Sequence, residues 1–424
     1  MCSSDLRTDG EYEEHFRAVF AEAVRRRLRS DSPILAELSG GMDSSSIVCM
    51  ADTIIARDAA ETPRLDTLSY YNDSEPNWNE RPYFTKVEEK RGRTGTHIDA
   101  GAQEKTTLDS ENGRFAATPG SGGKSGERFA ACLASQGSRV VLSGIGGDEV
   151  TGGVPTPIPE LADLLARGQF RTLAHQLKVW ALNKRKPWFH LFFEAASGFF
   201  PHGLTRVPKH MRPAFWLDAA FVKRNRTALM GYPYRVKVFG PLPTFQENIS
   251  TLNVLRRQLL CEPTPSVPPY EKRYPYLDRG LAEFLFAIPR EQLVRPGQRR
   301  SLMRRALLGI VPDELLNRKR KAYVSRAPMA AIAADWSRYT EMTQHLVSGS
   351  FGIIETKEFS QALQKARQGQ ELPMVTLIRT LSIESWLRKL KESKVLNVTA
   401  SGTDDRLWNA EEGVAPNART IRSI

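Results

Sequence analysis

The chain is poor in what several function classes require. Its four cysteines, Cys2, Cys49, Cys132 and Cys261, show neither disulfide nor metal-ligand spacing. None of its seven histidines stands at ligand spacing from a cysteine or carboxylate, so zinc chemistry and a histidine-based triad find no support. The longest apolar stretch, Trp188 to Phe200, is interrupted by His190 and Glu194 and falls short of the ~18 apolar residues of a membrane span. No charged-then-apolar leader opens the sequence. The seven tryptophans and eleven tyrosines form no aromatic-basic repeat of the kind that stacks bases. A cytoplasmic protein with neither a membrane nor a nucleic-acid partner is expected.

What is present is ordinary globular composition: 424 residues, 41% hydrophobic and 25% charged, long enough for two or three cores. Sixty Lys and Arg against 48 Asp and Glu leave a formal charge of +12. The basic clusters at Arg25–Arg29, Lys184–Lys186, Arg299–Arg305 and Arg318–Lys321 suit a polyanionic partner, although a solvated basic face explains any one run as well.

The spacing of Tyr12, Phe16, Val19, Phe20 and Val24 predicts a first helix, broken at Ser30–Ser32. Ile34–Leu38 then reads as a strand, Ser39-Gly40-Gly41 as a tight turn, and Ser44 to Ile55 as a helix. Thr67–Tyr71, His97–Ile98 and Arg139–Leu142 are further strands, separated by helices at Asn79–Arg91 and Arg128–Ser135. Alternation of this kind implies an α/β fold with a doubly wound parallel sheet. Beyond about residue 155 the pattern becomes helical, with little that reads as strand. The expected organisation is an α/β core over residues 1–155, a helical lobe over 156–390 and a polar tail of little fixed order over 391–424. The Gly- and Ser-rich stretch Thr118 to Gly126 reads as a mobile active-site loop, since the sheet pattern resumes after it. Within it, Thr118 to Ser125 imitates a phosphate-binding P-loop, but its first required glycine is Thr118 and no apolar strand leads in.

Two glycine-lined strand ends carry the chemistry. In Ser39-Gly40-Gly41-Met42-Asp43-Ser44-Ser45 the glycines let backbone approach a ligand, and amides at a helix start attract an anion such as pyrophosphate. Asp43 offers a carboxylate to a cation and the serines offer hydroxyls. The bland alternative is a Gly-Gly turn with Ser44 capping the helix. In Ser143-Gly144-Ile145-Gly146-Gly147-Asp148-Glu149 the glycines would admit a bulky nucleotide, and Asp148 would hold a divalent cation against phosphate oxygens. A turn followed by an acidic first helical turn would fit the same residues.

The first of these loops resembles the pyrophosphate loop of the ATP-pyrophosphatase superfamily, and the second is similar to the Gly-x-Gly-Gly-Asp-Glu segment of the asparagine synthetase family. Two further blocks follow in the same order: Glu271-Lys272-Arg273-Tyr274-Pro275-Tyr276-Leu277-Asp278, and Ser301 to Leu307 continuing through Val311–Leu315 to Asn317-Arg318. The resemblance spans about residues 33–328. It implies an adenine nucleotide α-hydrolase-like core and ATP- and magnesium-dependent amide formation. A carboxylate attacks the α-phosphorus, pyrophosphate leaves, and a nitrogen nucleophile displaces AMP. It further implies that Ser39, Gly40, Gly41, Asp43, Ser44, Ser45, Ser143, Gly144, Gly146 and Gly147 bind ATP, that Asp43 and Asp148 hold Mg2+, and that the basic residues Arg318–Lys321 face pyrophosphate.

Three departures bear on the substrate. The pyrophosphate loop arrives at residue 39, leaving no room for the glutaminase domain that opens with Met-Cys in glutamine-using relatives, so Cys2 receives no catalytic role. A separate ammonia source or a peptide-binding partner protein is then expected, unless this chain is a piece of a longer one. Ile145 stands where asparagine synthetases carry a glutamate that manages protons during amidation; relatives joining bulkier amines, including β-lactam synthetase and lasso peptide macrolactam cyclases, also lack it. Glu271 is the candidate substitute base, with an ion pair to Arg273 as its alternative. The family's lysine in Arg-x-Lys falls on Arg320, and a shift of one residue would place Lys321 there. Asparagine synthesis from aspartate and macrolactam closure on a peptide, the latter favoured by Ile145 and by the segment Asn77 to Tyr83, are the two substrate readings. A PP-loop RNA-modifying enzyme and a non-catalytic nucleotide-binding protein are the rivals from other classes.

Overall fold

A computed structural model describes residues 6–57, 64–73, 80–99, 124–154, 156–200, 212–226, 236, 240–260, 269–318 and 326–396. The helix Asp9–Arg27 opens it, started by a reciprocal capping box in which the Thr8 hydroxyl accepts from the Glu11 amide and the Glu11 carboxylate accepts from the Thr8 amide. Tyr12, Phe16, Phe20, Ala23 and Val24 recur every three or four residues and are buried, so this helix packs lengthwise on the core.

Five parallel strands form one sheet: β1 (Ile34–Glu37), β2 (Leu65–Tyr71), β3 (Thr96–Asp99), β4 (Val140–Leu142) and β5 (Glu271–Arg273), in the order β3-β2-β1-β4-β5. Ile34 pairs with Leu65 on one side and with Val140 on the other. The helices Met42–Ile55, Arg81–Arg91 and Lys124–Gln136 connect the first four strands. The chain therefore winds outward one way through β2 and β3 and the other way through β4, and the direction reverses between β1 and β4. In open α/β sheets a crevice opens at the carboxyl ends of the strands at that reversal, which is where ligands bind. Both glycine-rich loops leave the sheet there.

β5 departs from the expectation of little strand beyond residue 155. It joins β4 with Val140 opposite Glu271, yet Glu-Lys-Arg has neither apolar alternation nor length. Its conformation is imposed by the exposed edge of β4 rather than by its own residues.

The largest core runs from Leu6 to Leu316 and includes Leu161, Leu173, Trp180 and Leu191, so no core boundary falls at residue 155. A second core joins Trp216 to residues between Ile332 and Leu381. Beside it, in the helix Met374–Glu392, buried Glu384 accepts from the Val347 and Ser348 amides at 2.9 Å each, from the Ser348 hydroxyl at 2.5 Å and from Arg388 Nε at 2.8 Å. The stretch 100–123, with most of the P-loop imitation, and the tail beyond 396 lie outside the described residues, as do Asn77, Trp78 and Asn79. Among the described residues no helix is long and apolar enough to cross a membrane.

Candidate functional site

After β1 the chain turns at Ser39 and Gly40 and enters the helix Met42–Ile55, whose cap residue Gly41 has no side chain to satisfy the first amides. Gly40 has φ of 65°, and a Cβ there would lie 3.0 Å from the Glu80 carbonyl oxygen and 3.0 Å from Tyr83 Cβ, so both conformation and space exclude a side chain. The Ser44 hydroxyl folds back to accept from the Ser39 amide at 3.1 Å and to bond the Ser39 hydroxyl at 3.0 Å, which closes the loop on itself.

The loop after β4 lies against it. A Cβ on Gly144 would sit 3.1 Å from the Ser44 amide nitrogen, and one on Gly147 would sit 2.5 Å from Asp43 Oδ1. Gly146, at φ of 94°, would drive a Cβ to 2.6 Å from Leu277. Gly144 and Gly147 thus let the second loop close on the first, and Gly146 lets it close on Leu277. The third sequence block locks the arrangement from behind: buried Tyr276 donates its hydroxyl to the Asp43 carbonyl at 3.1 Å.

Between the loops opens a cleft of about 490 Å³. Of the residues singled out in sequence, Ser39, Gly41, Asp43, Ser44, Ser143, Gly144, Gly146 and Asp148 line it, and Ile145 faces it too. Gly40, Ser45 and Gly147 do not line it; Ser45 is fully buried behind the loop, so its hydroxyl is not offered to a ligand. Leu38 and Leu68 supply an apolar wall.

The two predicted metal carboxylates meet. Arg300 Nη2 donates to Asp43 Oδ2 at 2.5 Å, and the same nitrogen donates to Asp148 Oδ1. Asp148 sits at the cleft mouth with its side chain 60% exposed, whereas the Arg300 side chain is 5% exposed. A Cβ on Gly153 would fall 2.0 Å from Asp148 Oδ1, so that glycine leaves the carboxylate its place. Two carboxylates from separate strand tips that already share one cationic group suit a divalent cation of the magnesium kind, which takes one or two protein carboxylates and completes its shell with water and phosphate. No cluster of three or more His, Cys, Asp or Glu able to hold a metal occurs among the described residues, which excludes an all-protein cage there but not a metal shared with phosphate.

Arg299 and Arg304 also line the cleft. Burial holds both guanidinium groups below the usual arginine range, and neighbouring positive charge adds to this: Arg300 beside Arg299, and Arg299 and Arg300 beside Arg304. Desolvated cations that repel one another are favoured by an anion beside them.

Arg318, expected to face pyrophosphate, is committed elsewhere. It grips Glu80 bidentately at 2.7 and 2.9 Å, donates to the Gly40 carbonyl at 2.9 Å and lies 3.6 Å from the centre of the Tyr83 ring. It lines the cleft as a strut that ties the Gly40 carbonyl to Glu80. Arg320 and Lys321, with Lys319, lie outside the described residues.

Glu271 is not brought to the cleft. It begins β5, and ligands gather where parallel strands end. Arg273 Nη2 bonds its carboxylate at 2.7 Å, and that hydrogen bond holds the carboxyl below its ordinary range. A general base needs the opposite displacement.

Sequence reasoning missed Arg299, Arg300, Arg304 and Glu80. The basic cluster Arg299–Arg305 was visible only as charge. The signal that separates its members is backbone geometry: Arg300 has φ of 52°, a left-handed conformation rare for a side chain of this size.

The profile of the asparagine synthase family matches residues 15–227 and 269–388, well over half of the chain. The chain belongs to the asparagine synthase family. Within that family it is 25% identical over 328 residues to the glutamine-hydrolyzing asparagine synthetase 3 of Bacillus subtilis (strain 168), covering 72% of this chain and 47% of that protein. It is also similar to amidase chry2 of Gibberella zeae, at 23% identity over 87% of this chain and 60% of the other. The chain thus spans about half to three fifths of the length of these relatives. Among solved structures, the U34-tRNA thiolase NcsA from Methanococcus maripaludis with its 4Fe-4S cluster covers 70% of this chain and 80% of its own at 13% identity, but with a TM-score of 0.21. That overlap is too small to bear on function.

Proposed function

We propose that this protein is an ATP- and magnesium-dependent amide-forming ligase that activates a carboxylate as an acyl-adenylate. The observation that carries the reading is the convergence of Asp43 and Asp148, from the tips of two neighbouring strands, on one cationic nitrogen beside the Ser39–Ser44 loop. In the first step a substrate carboxylate oxygen bonds to the α-phosphorus of ATP and the bond to the β-phosphate oxygen breaks. In the second, an amine nitrogen bonds to the acyl carbon, AMP leaves with the bonding pair, and the amine gives up a proton.

The residues of the chain are suited to the charge this moves. Amides at the start of the helix Met42–Ile55 point at an anion without reorganising, which favours the departing pyrophosphate. Arg299 and Arg300 flank it as cations. Leu38 and Leu68 suit the face of a purine. Magnesium, held by Asp43 and Asp148, would neutralise phosphate charge in that space.

Aspartate amidation is the reading favoured by the family. Ile145 on the cleft wall favours a second one, in which the nitrogen belongs to a larger amine and the product is a macrolactam closed on a peptide, because an isoleucine can exclude water but cannot accept a proton. Either reading leaves a place for a separate ammonia source or a peptide-binding partner. ATP–pyrophosphate exchange tests both: exchange dependent on aspartate or on a carboxylate-bearing peptide is expected, and exchange with neither class of substrate overturns the assignment.

A further inference from the structure

We infer that Arg300 is a displaceable counter-cation, occupying the seat between Asp43 and Asp148 until a divalent metal arrives with nucleotide, so that the two ligands are energetically coupled. The inference rests on the nucleotide and divalent-cation reading above. The seat is built for one cation at a time. A single nitrogen, Nη2, serves both carboxylates, and no second positive charge fits between oxygens that already share it.

Arg300 is not held as a structural arginine is. Its Nε is buried without a hydrogen-bond partner, whereas Arg318 in the same cleft wall uses two nitrogens on Glu80 and a third contact on Gly40. Its backbone is left-handed at φ of 52°, anchored by its amide on the Gly152 carbonyl at 3.1 Å, and such conformations persist where surrounding structure over-determines them. The carboxylates have packing of their own: Gly147, from the facing loop, and Gly153 leave no room for a Cβ beside Asp43 and Asp148. The seat is therefore retained when the guanidinium leaves.

The cost of leaving depends on what else is in the cleft. With no nucleotide, a metal that takes the two carboxylates strands a buried guanidinium without an acceptor, which is strongly unfavourable. With a triphosphate present, the released guanidinium gains phosphate oxygens instead. Bare metal binds weakly, metal with nucleotide binds well, and each ligand raises the affinity for the other by the same factor.

The test is Mn2+ binding to the whole chain, followed by the electron paramagnetic resonance of free ion, with and without α,β-methylene-ATP, whose own binding is measured by equilibrium dialysis. In the unaltered protein the analogue is expected to tighten Mn2+ by at least about tenfold. In Arg300→Met, Mn2+ without nucleotide is expected to bind at least about tenfold tighter than in the unaltered protein, and the further gain from the analogue to shrink. Arg300→Lys keeps a cation in the seat and is expected to stay within about threefold of the unaltered protein without nucleotide. Nucleotide-free affinity that is equal or weaker in a folded Arg300→Met overturns the proposal, as does a lysine variant that gains as much as methionine. Equal Mn2+ affinity in the unaltered protein with and without bound analogue overturns it without recourse to any variant. If dialysis finds no analogue bound while Arg300→Met still gains Mn2+ affinity, the seat stands and the nucleotide reading falls.

Discussion

Two carboxylate–arginine centres in this molecule, one enclosed at Glu384 and one opening on the cleft at Arg300, have opposite characters. At Glu384 every acceptor direction is used: two backbone amides, a hydroxyl and Arg388 surround it, and the amides belong to the start of the short helix Val347–Ser350. At Arg300 one nitrogen is divided between two acids and another finds no acceptor. Both are rich in charge, and the distinction lies in completeness. A closed network fixes a fold, while an incomplete one is a place where something else binds.

The contrast can be broken by substitution. Glu384→Ala leaves Arg388 and two amides without their acceptor, and chemical denaturation is expected to lose about 3–5 kcal/mol while the remaining folded protein binds nucleotide normally. Asp43→Asn should do the reverse. Pyrophosphate exchange is expected to fall by about 10²–10³-fold, roughly 2.7–4 kcal/mol in barrier, with little change in the denaturation midpoint. If Asp43→Asn unfolds the protein and Glu384→Ala abolishes only activity, the distinction is inverted.

Glu160, in the helix Ile158–Ala166, sharpens the comparison because it is a half-buried acid whose desolvation outweighs the attraction of the cation beside it. Burial, then Glu291, pushes its carboxyl up from 4.5 to about 7, against an opposing pull from Arg290. The folded state therefore holds a proton that the unfolded chain has lost between those values, and stability declines as pH rises through that window. The decline is expected to reach at most about 3 kcal/mol. Thermal melts of Glu160→Gln should show it removed, so that the variant is the more stable protein at pH 8 and loses its advantage near pH 4. The smallest effect belongs to Glu271→Gln. Its exposed pair with Arg273 is worth about 0–1 kcal/mol, and pyrophosphate exchange should stay within about twofold. A large loss of amide formation with exchange intact would return Glu271 to the chemistry.

How much of this was legible in sequence follows from the range of the interactions. β1, its loop and the next helix are written locally: an apolar run, a Gly-Gly turn whose first glycine admits no side chain, then a helical pattern. The β4 tip is written the same way, and its glycines were found, although the contact that Gly144 and Gly147 make with the first loop was not. Arg300 could not be found by such reading, because its acids lie 257 and 152 residues away and nothing near it in the chain distinguishes it from Arg299 or Arg305. Arg318 misled for the same reason. A basic residue in a matching motif reads as a ligand contact until Glu80, 238 residues distant, is seen to consume it. β5 was hidden because an edge strand of three polar residues takes its shape from its neighbour.

That last pairing also governs how the chain comes to be made. At roughly 5–20 residues per second, the ribosome needs about 7–26 s to pass from β4 to the strand that covers it. Through that interval the nascent sheet presents an open flank to every other polypeptide nearby, a standing invitation to mispairing. The cleft is younger still, since neither Arg300 nor the strut at Arg318 yet exists. The cleft is thus completed only once Arg300 and Arg318 have been translated, and a chain stalled before that point would own a sheet without the cationic wall of its cleft.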